Sequence, residues 1–344
     1  MEPVPKQENG LLAATARGGD LRHLMSGRCG IMLAIAEIAK QDTKRVAYLP
    51  AYTCETVSGC FVKSGYEIIY YDVDTKLHPQ YDESLLDRIS LFLACGYYGF
   101  VTFEEQFASL CRASGVVVLC DATHSLFSAG GVPKSAHYMA VSLRKWLPVP
   151  AGGLAVKYHG QFQASPVQVH SKHLEMRRQS LTMAQKAAET QDEALLKEAT
   201  TIFWDAEMLL RRVYGCHEGD PESEIMLSRY PIEEMCRRRR SNYMVLLENF
   251  PKRDMVRPVF TALPEGTVPS HFTVYAKDRD ALQEALDEKG IGTTAYWPVP
   301  PFIDIQEYPG AAWVYEHVLS LPCDQRYGKE QMLRMASVLR ETAV

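Results

Sequence analysis

Between about residues 24 and 156, short apolar runs alternate with longer stretches in which apolar residues recur at helical spacing. The short runs have the length and residue types of buried strands, and the longer stretches are typical of amphipathic helices. Because strands that alternate with helices form sheets covered by helices, we predict a three-layer α/β/α domain with a mainly parallel sheet. The predicted strands are 45–49, 67–71, 90–94, 116–120, 138–142 and 153–157, and the predicted helices are 29–40, 53–64 and 103–113.

The pattern changes after residue 160. Residues 161–214 are rich in Ala, Glu, Gln, Leu, Lys and Met and contain no Gly or Pro after Pro166, which predicts two or three helices. An α+β pattern follows, with predicted helices at 232–248, 278–289 and 329–341 and predicted strands at 271–276 and 293–297. We therefore predict a large domain, 1–225, that includes the helical stretch 161–214, and a smaller α+β domain, 226–344.

The composition is that of a globular protein long enough for two domains, with 344 residues of which 47% are hydrophobic. The net charge of −5 gives no basic field that would favour nucleic acid. The nine cysteines form no Cys-x-x-Cys pair, so we expect reduced thiols and no metal site. No stretch of about 18 apolar residues occurs, and residues 1–19 lack an apolar signal core. We therefore expect a cytoplasmic protein that does not enter a membrane.

Asp121 directly follows the predicted strand 116–120, at the edge of the sheet where ligands of α/β proteins bind. An acid at this position can reach into the crevice, although an Asp that only caps the following turn is an equally good interpretation. His124 lies three residues further on and could contact the same ligand. A histidine with a purely structural role is the more common case.

Lys145 follows the predicted strand 138–142 and precedes a loop rich in Pro and Gly. Most lysines lie on a solvated surface. The apolar residues after Lys145, however, predict a setting that would desolvate the amine and favour its neutral, nucleophilic form toward aldehydes. Ser142 ends the strand, Arg144 could bind phosphate or influence the amine, and Gly152 and Gly153 would let the backbone pass close to a ligand.

Ser26, Gly27 and Arg28 stand just before a predicted helix. Free amides at a helix N-terminus bind anions, although a simple serine cap with a glycine turn explains the same residues. The segment is not a dinucleotide fingerprint, and the chain has no Gly-x-x-x-x-Gly-Lys loop. A nicotinamide dehydrogenase is therefore disfavoured.

An anion cradle, an amine and an acid are together what a pyridoxal 5′-phosphate (PLP) site needs. The cradle holds the phosphate, the amine bonds to the aldehyde, and the acid keeps the ring nitrogen protonated so that the ring can accept electrons. We predict that these parts come from the segment 26–28, from Lys145 and from Asp121.

The sequence resembles the sugar aminotransferases of the DegT/DnrJ/EryC1/StrS family, which are fold type I PLP enzymes. Residues 121–124 (Asp-Ala-Thr-His) resemble the family's Asp-Ala-Ala-His, and residues 142–145 resemble its Ser and Lys segment. Weaker similarities cover most of the chain, at residues 26–28, 50–56, 65–74, 97–99, 295–298 and 319–323.

The resemblance implies a role for each matching residue. It places Asp121 at the pyridine nitrogen, His124 near the phenolic oxygen, Ser142 on the phosphate, and Lys145 in a Schiff base with the cofactor. Cys54 stands where many members carry an aromatic residue beside the ring. The resemblance also implies L-glutamate as amino donor, a nucleotide-linked keto sugar as acceptor, and a homodimer with shared active sites.

The sequence departs from the family in ways that concern the sugar site. The family's Asn-Tyr-Arg-Met segment is not recognisable, the spacing from Ser142 to Lys145 is short, and the stretch 161–214 is enlarged. A PLP-dependent dehydratase or lyase and a catalytically idle binding protein remain alternatives. Dehydratase relatives usually replace the lysine with His, which Lys145 argues against. The run Arg237–Arg240 could bind substrate phosphates or form a solvated helix face.

Overall fold

The protein is described by a computed structural model that covers residues 8–213, 215–252 and 255–342. Its α-helices are α1 (Leu11–Ala16), α2 (Gly27–Ile38), α3 (Glu55–Lys63), α4 (Glu105–Ala113), α5 (Ser171–Thr190), α6 (Glu193–Arg212), α7 (Pro221–Arg229), α8 (Ile232–Asn249), α9 (Arg279–Glu288), α10 (Pro309–His317) and α11 (Lys329–Glu341). Its strands are β1 (Asp20–Leu24), β2 (Val46–Pro50), β3 (Glu67–Val73), β4 (Pro79–Gln80), β5 (Leu91–Cys95), β6 (Val117–Asp121), β7 (Tyr138–Ser142), β8 (Gly153–Lys157), β9 (Val256–Pro258), β10 (Phe272–Ala276) and β11 (Val318–Leu321). They belong to two compact units.

The first unit comprises residues from 1–43 and 136–231. Its strands run antiparallel in the order β1-β8-β7, with Gly153 of β8 opposite both Leu24 and Ser142. Helix α2 packs closely on these strands, because a Cβ atom added at Gly30 would lie 2.6 Å from the carbonyl oxygen of Leu154. Apolar side chains from the strands and from α2, α5 and α6 form the core of this unit.

Helices α5 and α6 form an antiparallel hairpin within the first unit. Gln191 adopts a left-handed conformation (φ 55°) that ends α5, and the side chain of Asp192 caps α6 by accepting from the backbone N–H of Leu195 at 3.0 Å. These two helices confirm the helical prediction for residues 161–214. The hairpin therefore has its own local signals for where each helix begins and ends.

The second unit comprises residues from 44–135 and 232–344. It contains a mainly parallel sheet in the order β6-β5-β2-β3-β4, in which only β4 is antiparallel to its neighbour. Its second sheet is antiparallel, in the order β11-β10-β9, and shares an apolar core with α8, α9 and α11. Each compact unit combines two separate stretches of sequence, so the units do not test a single boundary between domains 1–225 and 226–344. That boundary remains a prediction.

The predicted α/β class is confirmed, and the predicted strands 138–142 and 153–157 have the same bounds as β7 and β8. The predicted strand 293–297 is wrong, because only Thr294 there makes a ladder contact, an isolated bridge to Ser320. Three prolines at 298, 300 and 301 follow this segment and cannot donate ladder hydrogen bonds. Strands β1, β4, β9 and β11 and helices α1, α7 and α10 were not predicted.

The sequence predicts neither a membrane-spanning helix nor a metal site. No helix among them is long and apolar enough to cross a membrane, and no group of three metal-ligating side chains lies together in them. All nine cysteines are described, and they are free thiols.

Candidate functional site

Ser26 begins helix α2 in the first unit. Its Oγ accepts from the backbone N–H of Cys29 at 3.3 Å, as an N-cap residue does. Helix α2 is 12 residues long, so its first turn presents backbone amides and the positive end of the helix dipole. The serine cap, the simpler interpretation of this segment, is therefore present. It leaves other first-turn amides of α2 for an anion at the same helix end.

Gly27 and Gly153 lie at two tightly packed positions of the first unit. A Cβ atom at Gly27 would lie 2.7 Å from the Cβ atom of Ser142, and one at Gly153 would lie 2.1 Å from the carbonyl oxygen of Ser26. Neither space can hold a side chain, so the two serines are held close to each other. The structure thus brings Ser26, Gly27 and Ser142 together, and their binding of a phosphate stays a prediction.

Lys145 is the last residue of a short 3₁₀ turn, Leu143–Lys145, that follows β7. The turn is held by the backbone N–H of Leu143, which donates to Gly152 at 2.6 Å, and by the buried side chains of Leu143 and Trp146. Lys145 itself is exposed in the single chain. The expected burial of the amine is therefore wrong for the chain alone, because its apolar neighbours pack inward while the lysine stays at the surface.

Two arginines near this edge have partners that the sequence did not predict. The guanidinium of Arg28 donates to the carbonyl oxygens of Leu210 and Val213 at the end of α6, the second at 3.2 Å. A contact of Arg28 with phosphate would therefore come from its backbone N–H. Arg144 donates to Glu207 and His173 of the hairpin, which corrects the expectation that its side chain binds phosphate.

Asp121 ends β6 in the second unit, opposite Cys95 of the parallel strand β5. Only 8% of the residue is exposed, and Oδ1 accepts from the backbone N–H of Thr123 at 3.0 Å. The structure therefore agrees with the interpretation of Asp121 as an aspartate that caps the following turn. A carboxylate has about four lone-pair sites, so Asp121 can accept another N–H in addition to this one.

His124 is buried in the second unit among aromatic rings. Its ring stacks on Trp297 with centroids 5.6 Å apart, and Nδ1 accepts from the backbone N–H of Tyr98 at 3.4 Å. An accepting Nδ1 places the proton of the neutral ring on Nε2. His124 is thus held in an orientation that makes Nε2 a donor.

Tyrosines that sequence reasoning did not select support this histidine. The hydroxyl of Tyr52 donates to the carbonyl oxygen of Tyr296 at 2.6 Å and is hydrogen bonded to the hydroxyl of Tyr98. Burial raises the pKa of Tyr52 and of Tyr98 well above its usual value, so both remain neutral. The signal that could have revealed them is the Tyr-Tyr-Gly turn at 97–99, where Tyr98 has a positive φ of 56°.

Cys54 follows the end of β2 and begins α3. It is partly exposed, and its Sγ lies 3.1 Å from Oγ1 of Thr56. Strands β2 and β6 are both parallel to β5, so Cys54 and Asp121 follow the same edge of the second unit's sheet.

The predicted site residues fall into two groups. The first unit holds Ser26, Gly27, Arg28, Ser142 and Lys145, and the second holds Cys54, Asp121 and His124. That the lysine and the aspartate face one ring stays a prediction.

The arginine run in α8 divides between surface and interior. Arg237 and Arg238 are exposed and pair with Glu234, which agrees with a solvated helix face. Arg239 is only 2% exposed and donates to Gln325 at 2.8 Å and to the carbonyl oxygen of Ser270 at 2.9 Å. For Arg239 the expectation of a solvated face is therefore wrong.

Comparison with known proteins relates part of the chain to one family. A family model described as the DegT/DnrJ/EryC1/StrS aminotransferase family matches residues 227–340, about a third of the chain. Over these residues the chain is similar to that family. A curated protein, UDP-N-acetyl-3-dehydro-alpha-D-glucosamine 3-aminotransferase of Acidithiobacillus ferrooxidans, is 34% identical over 92 residues. That match spans 23% of this chain and only a quarter of the relative's length.

Solved structures of aminotransferases share the fold over nearly the whole chain. TlmJ from Streptoalloteichus hindustanus has a TM-score of 0.67 at 17% identity, covering 96% of this chain and 89% of its own. DesV from S. venezuelae has a TM-score of 0.68 at 19% identity, covering 98% and 89%. Helicobacter pylori PseC has a TM-score of 0.67 at 15% identity, covering 98% and 93%. The predicted fold, that of the fold type I PLP enzymes, is confirmed.

Proposed function

We propose that the protein is a PLP-dependent aminotransferase that transfers an amino group from L-glutamate to a keto acceptor, a nucleotide-linked keto sugar. The observation that carries the proposal is the edge of the first unit, where Lys145 follows Ser142 by three residues and Ser142 packs on Gly27 at the start of α2. The match of residues 227–340 to the aminotransferase family model supports the reaction type, and the name of the curated relative supports the sugar class.

The residues present fit the cofactor. The two serine hydroxyls and the first-turn amides of α2 are donors suited to a phosphate, and side chains at Gly27 or Gly153 would fill the cradle. A lysine amine is suited to an aldehyde, and the buried Asp121 carboxylate to a pyridinium N–H. When bound, PLP supplies an electron-accepting ring that the side chains of a protein lack.

Each residue then has a defined task. Ser26 and Ser142 bind and orient the phosphate. Lys145 would hold the aldehyde of PLP through Nζ, and the same amine would serve as general base and acid for the substrate proton. Asp121 would keep the ring nitrogen protonated, and His124 would donate from Nε2 to the phenolic oxygen. Cys54 would contribute to the pocket for the ring.

The assembly and location belong to the same proposal. We expect a cytoplasmic homodimer whose subunits share active sites, as the family resemblance implies.

The test begins with the lysine. Purified protein loaded with PLP should show a visible absorption band that borohydride removes, leaving a covalent adduct on the peptide that contains Lys145. The variant Lys145→Ala should lack both, and Lys134→Ala, which removes another exposed lysine, should keep both. Full activity in Lys145→Ala would defeat the proposal.

The reaction type is tested by a half reaction. Addition of L-glutamate should remove the visible band and release 2-oxoglutarate in an amount equal to the enzyme. A dehydratase or lyase would instead turn over its substrate without storing an amino group. The loaded enzyme, offered nucleotide-linked and free keto sugars, should recover the band fastest with the nucleotide-linked class.

A further inference from the structure

A buried polar cluster joins the lysine-bearing turn to the α5–α6 hairpin. Arg144, the residue before Lys145, donates from Nη2 to Oε1 of Glu207 at 2.8 Å and from Nη1 to Nε2 of His173 at 3.0 Å. The two acceptors come from different helices, α6 and α5. The side chain of Arg144 is 10% exposed, so these contacts are largely shielded from water.

His173 is set up to accept from Arg144. It is fully buried, and its Nδ1 lies 3.2 Å from the carbonyl oxygen of Ala206, to which it can only donate. Burial, reinforced by the charge of Arg144, lowers the pKa of His173 to about 4. The ring is therefore neutral at pH 7 and offers Nε2 as an acceptor.

Glu207 balances two arginines. Burial opposes its ionisation, but the guanidiniums of Arg144 and Arg177 hold the pKa of Glu207 below its usual value. Arg177 is 4% exposed and its Nη1 lies 3.6 Å from Oε1 of Glu207. With His173 neutral, these side chains carry two positive charges and one negative charge.

We propose that Glu207 and His173 are positioning residues, which through Arg144 fix the turn that presents Lys145. This inference rests on the proposed function. The planar guanidinium binds two acceptors at once in one geometry, so it restrains the turn more than a single contact would. On the other side of Arg144, its Cγ would lie 3.0 Å from a Cβ atom added at Gly152, so the stem of the side chain is also closely packed.

A double variant separates positioning from stability. In Glu207→Gln, two buried arginines lose their counter-charge, so this variant should be destabilised. In Arg144→Met/Glu207→Met, one positive and one negative charge disappear together, so the cluster keeps its net charge of +1. Replacement of a buried ion pair by apolar side chains is often neutral, but Arg177 stays buried without a counter-charge, so the double variant should regain only part of the lost stability.

The lysine should nevertheless be poorly placed in the double variant. After PLP loading, its visible circular dichroism should differ from that of the wild type, because this signal depends on how the ring is held. We expect kcat to fall roughly tenfold to a hundredfold while KM for glutamate changes little, as misplacement of a reacting group predicts. The matched control is Arg178→Met/Glu222→Met, which removes from α5 an arginine that pairs with two carboxylates, the exposed Glu222 and the buried Asp220, each at 3.0 Å.

Single changes at His173 provide a second measurement that does not depend on the double variant folding. His173→Gln keeps an acceptor for Arg144 and should retain the wild-type dichroism and kcat, whereas His173→Leu should lose both. The inference is overturned if either the double variant or His173→Leu folds and has the wild-type dichroism and kcat. If the wild type forms no adduct at Lys145, the proposed function fails instead, so the two failures are distinguishable.

Discussion

At the scale of single residues, the cradle depends on the absence of a side chain at Gly27. In Gly27→Ala the added methyl group would meet Ser142 at 2.7 Å, so strand or helix must shift, at a cost of about 1–3 kcal/mol in unfolding free energy. Because the shift moves the phosphate donors, PLP affinity should also fall, as measured by cofactor titration. Gly292→Ala, where nothing lies within 4 Å, is the control. Unchanged affinity in a folded Gly27→Ala would contradict the cradle.

Asp121→Asn tests the role of the buried carboxylate. The amide oxygen can still accept from the N–H of Thr123, so the fold should persist. The variant loses the negative charge that keeps the ring nitrogen protonated, and the glutamate half reaction should slow by about a hundredfold or more. Stopped-flow absorbance measures this rate, and a rate within a few-fold of the wild type would show that Asp121 has only its turn-capping role.

The sequence predicted the place of candidate site residues in the fold where position along a strand was enough. Asp121 and Ser142 end strands, and the ends of neighbouring strands lie at one edge of a sheet. It failed for Arg28 and Arg144, whose partners lie more than sixty positions away in α6. Sequence proximity to a phosphate segment or to a lysine does not reveal which way a long side chain turns.

At the scale of elements, Glu37 near the end of α2 connects that helix to β8 and to residues 163 and 164, which precede α5. Its carboxylate binds Lys157 at 2.7 Å and accepts from the backbone N–H groups of Gln163 and Ala164. Although burial opposes ionisation, these partners lower the pKa of Glu37 to about 2. A carboxylate with a lowered pKa stabilises the folded state above its unfolded pKa of about 4.5 and loses that contribution as pH falls toward 2.

The corresponding prediction concerns acid stability. Glu37→Gln should be less stable than the wild type at pH 7, and the difference should shrink as pH falls from about 4.5 to about 2. Urea unfolding at a series of pH values measures this, with Glu198→Gln on the exposed surface of α6 as control. A difference that stays constant with pH would show that the charge of Glu37 contributes nothing.

Elements with a strong apolar pattern were predicted with bounds within a few residues of those observed. Polar elements and elements bounded by proline were not predicted. Strand β1 has the sequence Asp-Leu-Arg-His-Leu and only its last residue is buried, so it gives no strand signal by itself. Its strand conformation comes from pairing with β8, a contact about 130 positions away. The segment 293–297 shows the opposite error, a strand-like composition without a continuous ladder partner.

At the scale of the whole molecule, we expect a homodimer. Light scattering after size exclusion should give twice the chain mass of 38.7 kDa at micromolar concentration, with and without PLP. The reason is the proposed sharing of active sites, which would make a lone subunit inactive. A monomer that completes the glutamate half reaction at the wild-type rate would contradict this prediction.

The contacts of α6 limit how this protein can be redesigned. Arg28 binds the last carbonyl groups of α6 and Arg144 binds Glu207 one turn earlier, so two cations of the first unit depend on one helix. A deletion that trims the hairpin would remove these acceptors from both guanidiniums. Any viable deletion must therefore replace those two arginines in the same step, so the hairpin is hard to lose through successive single changes.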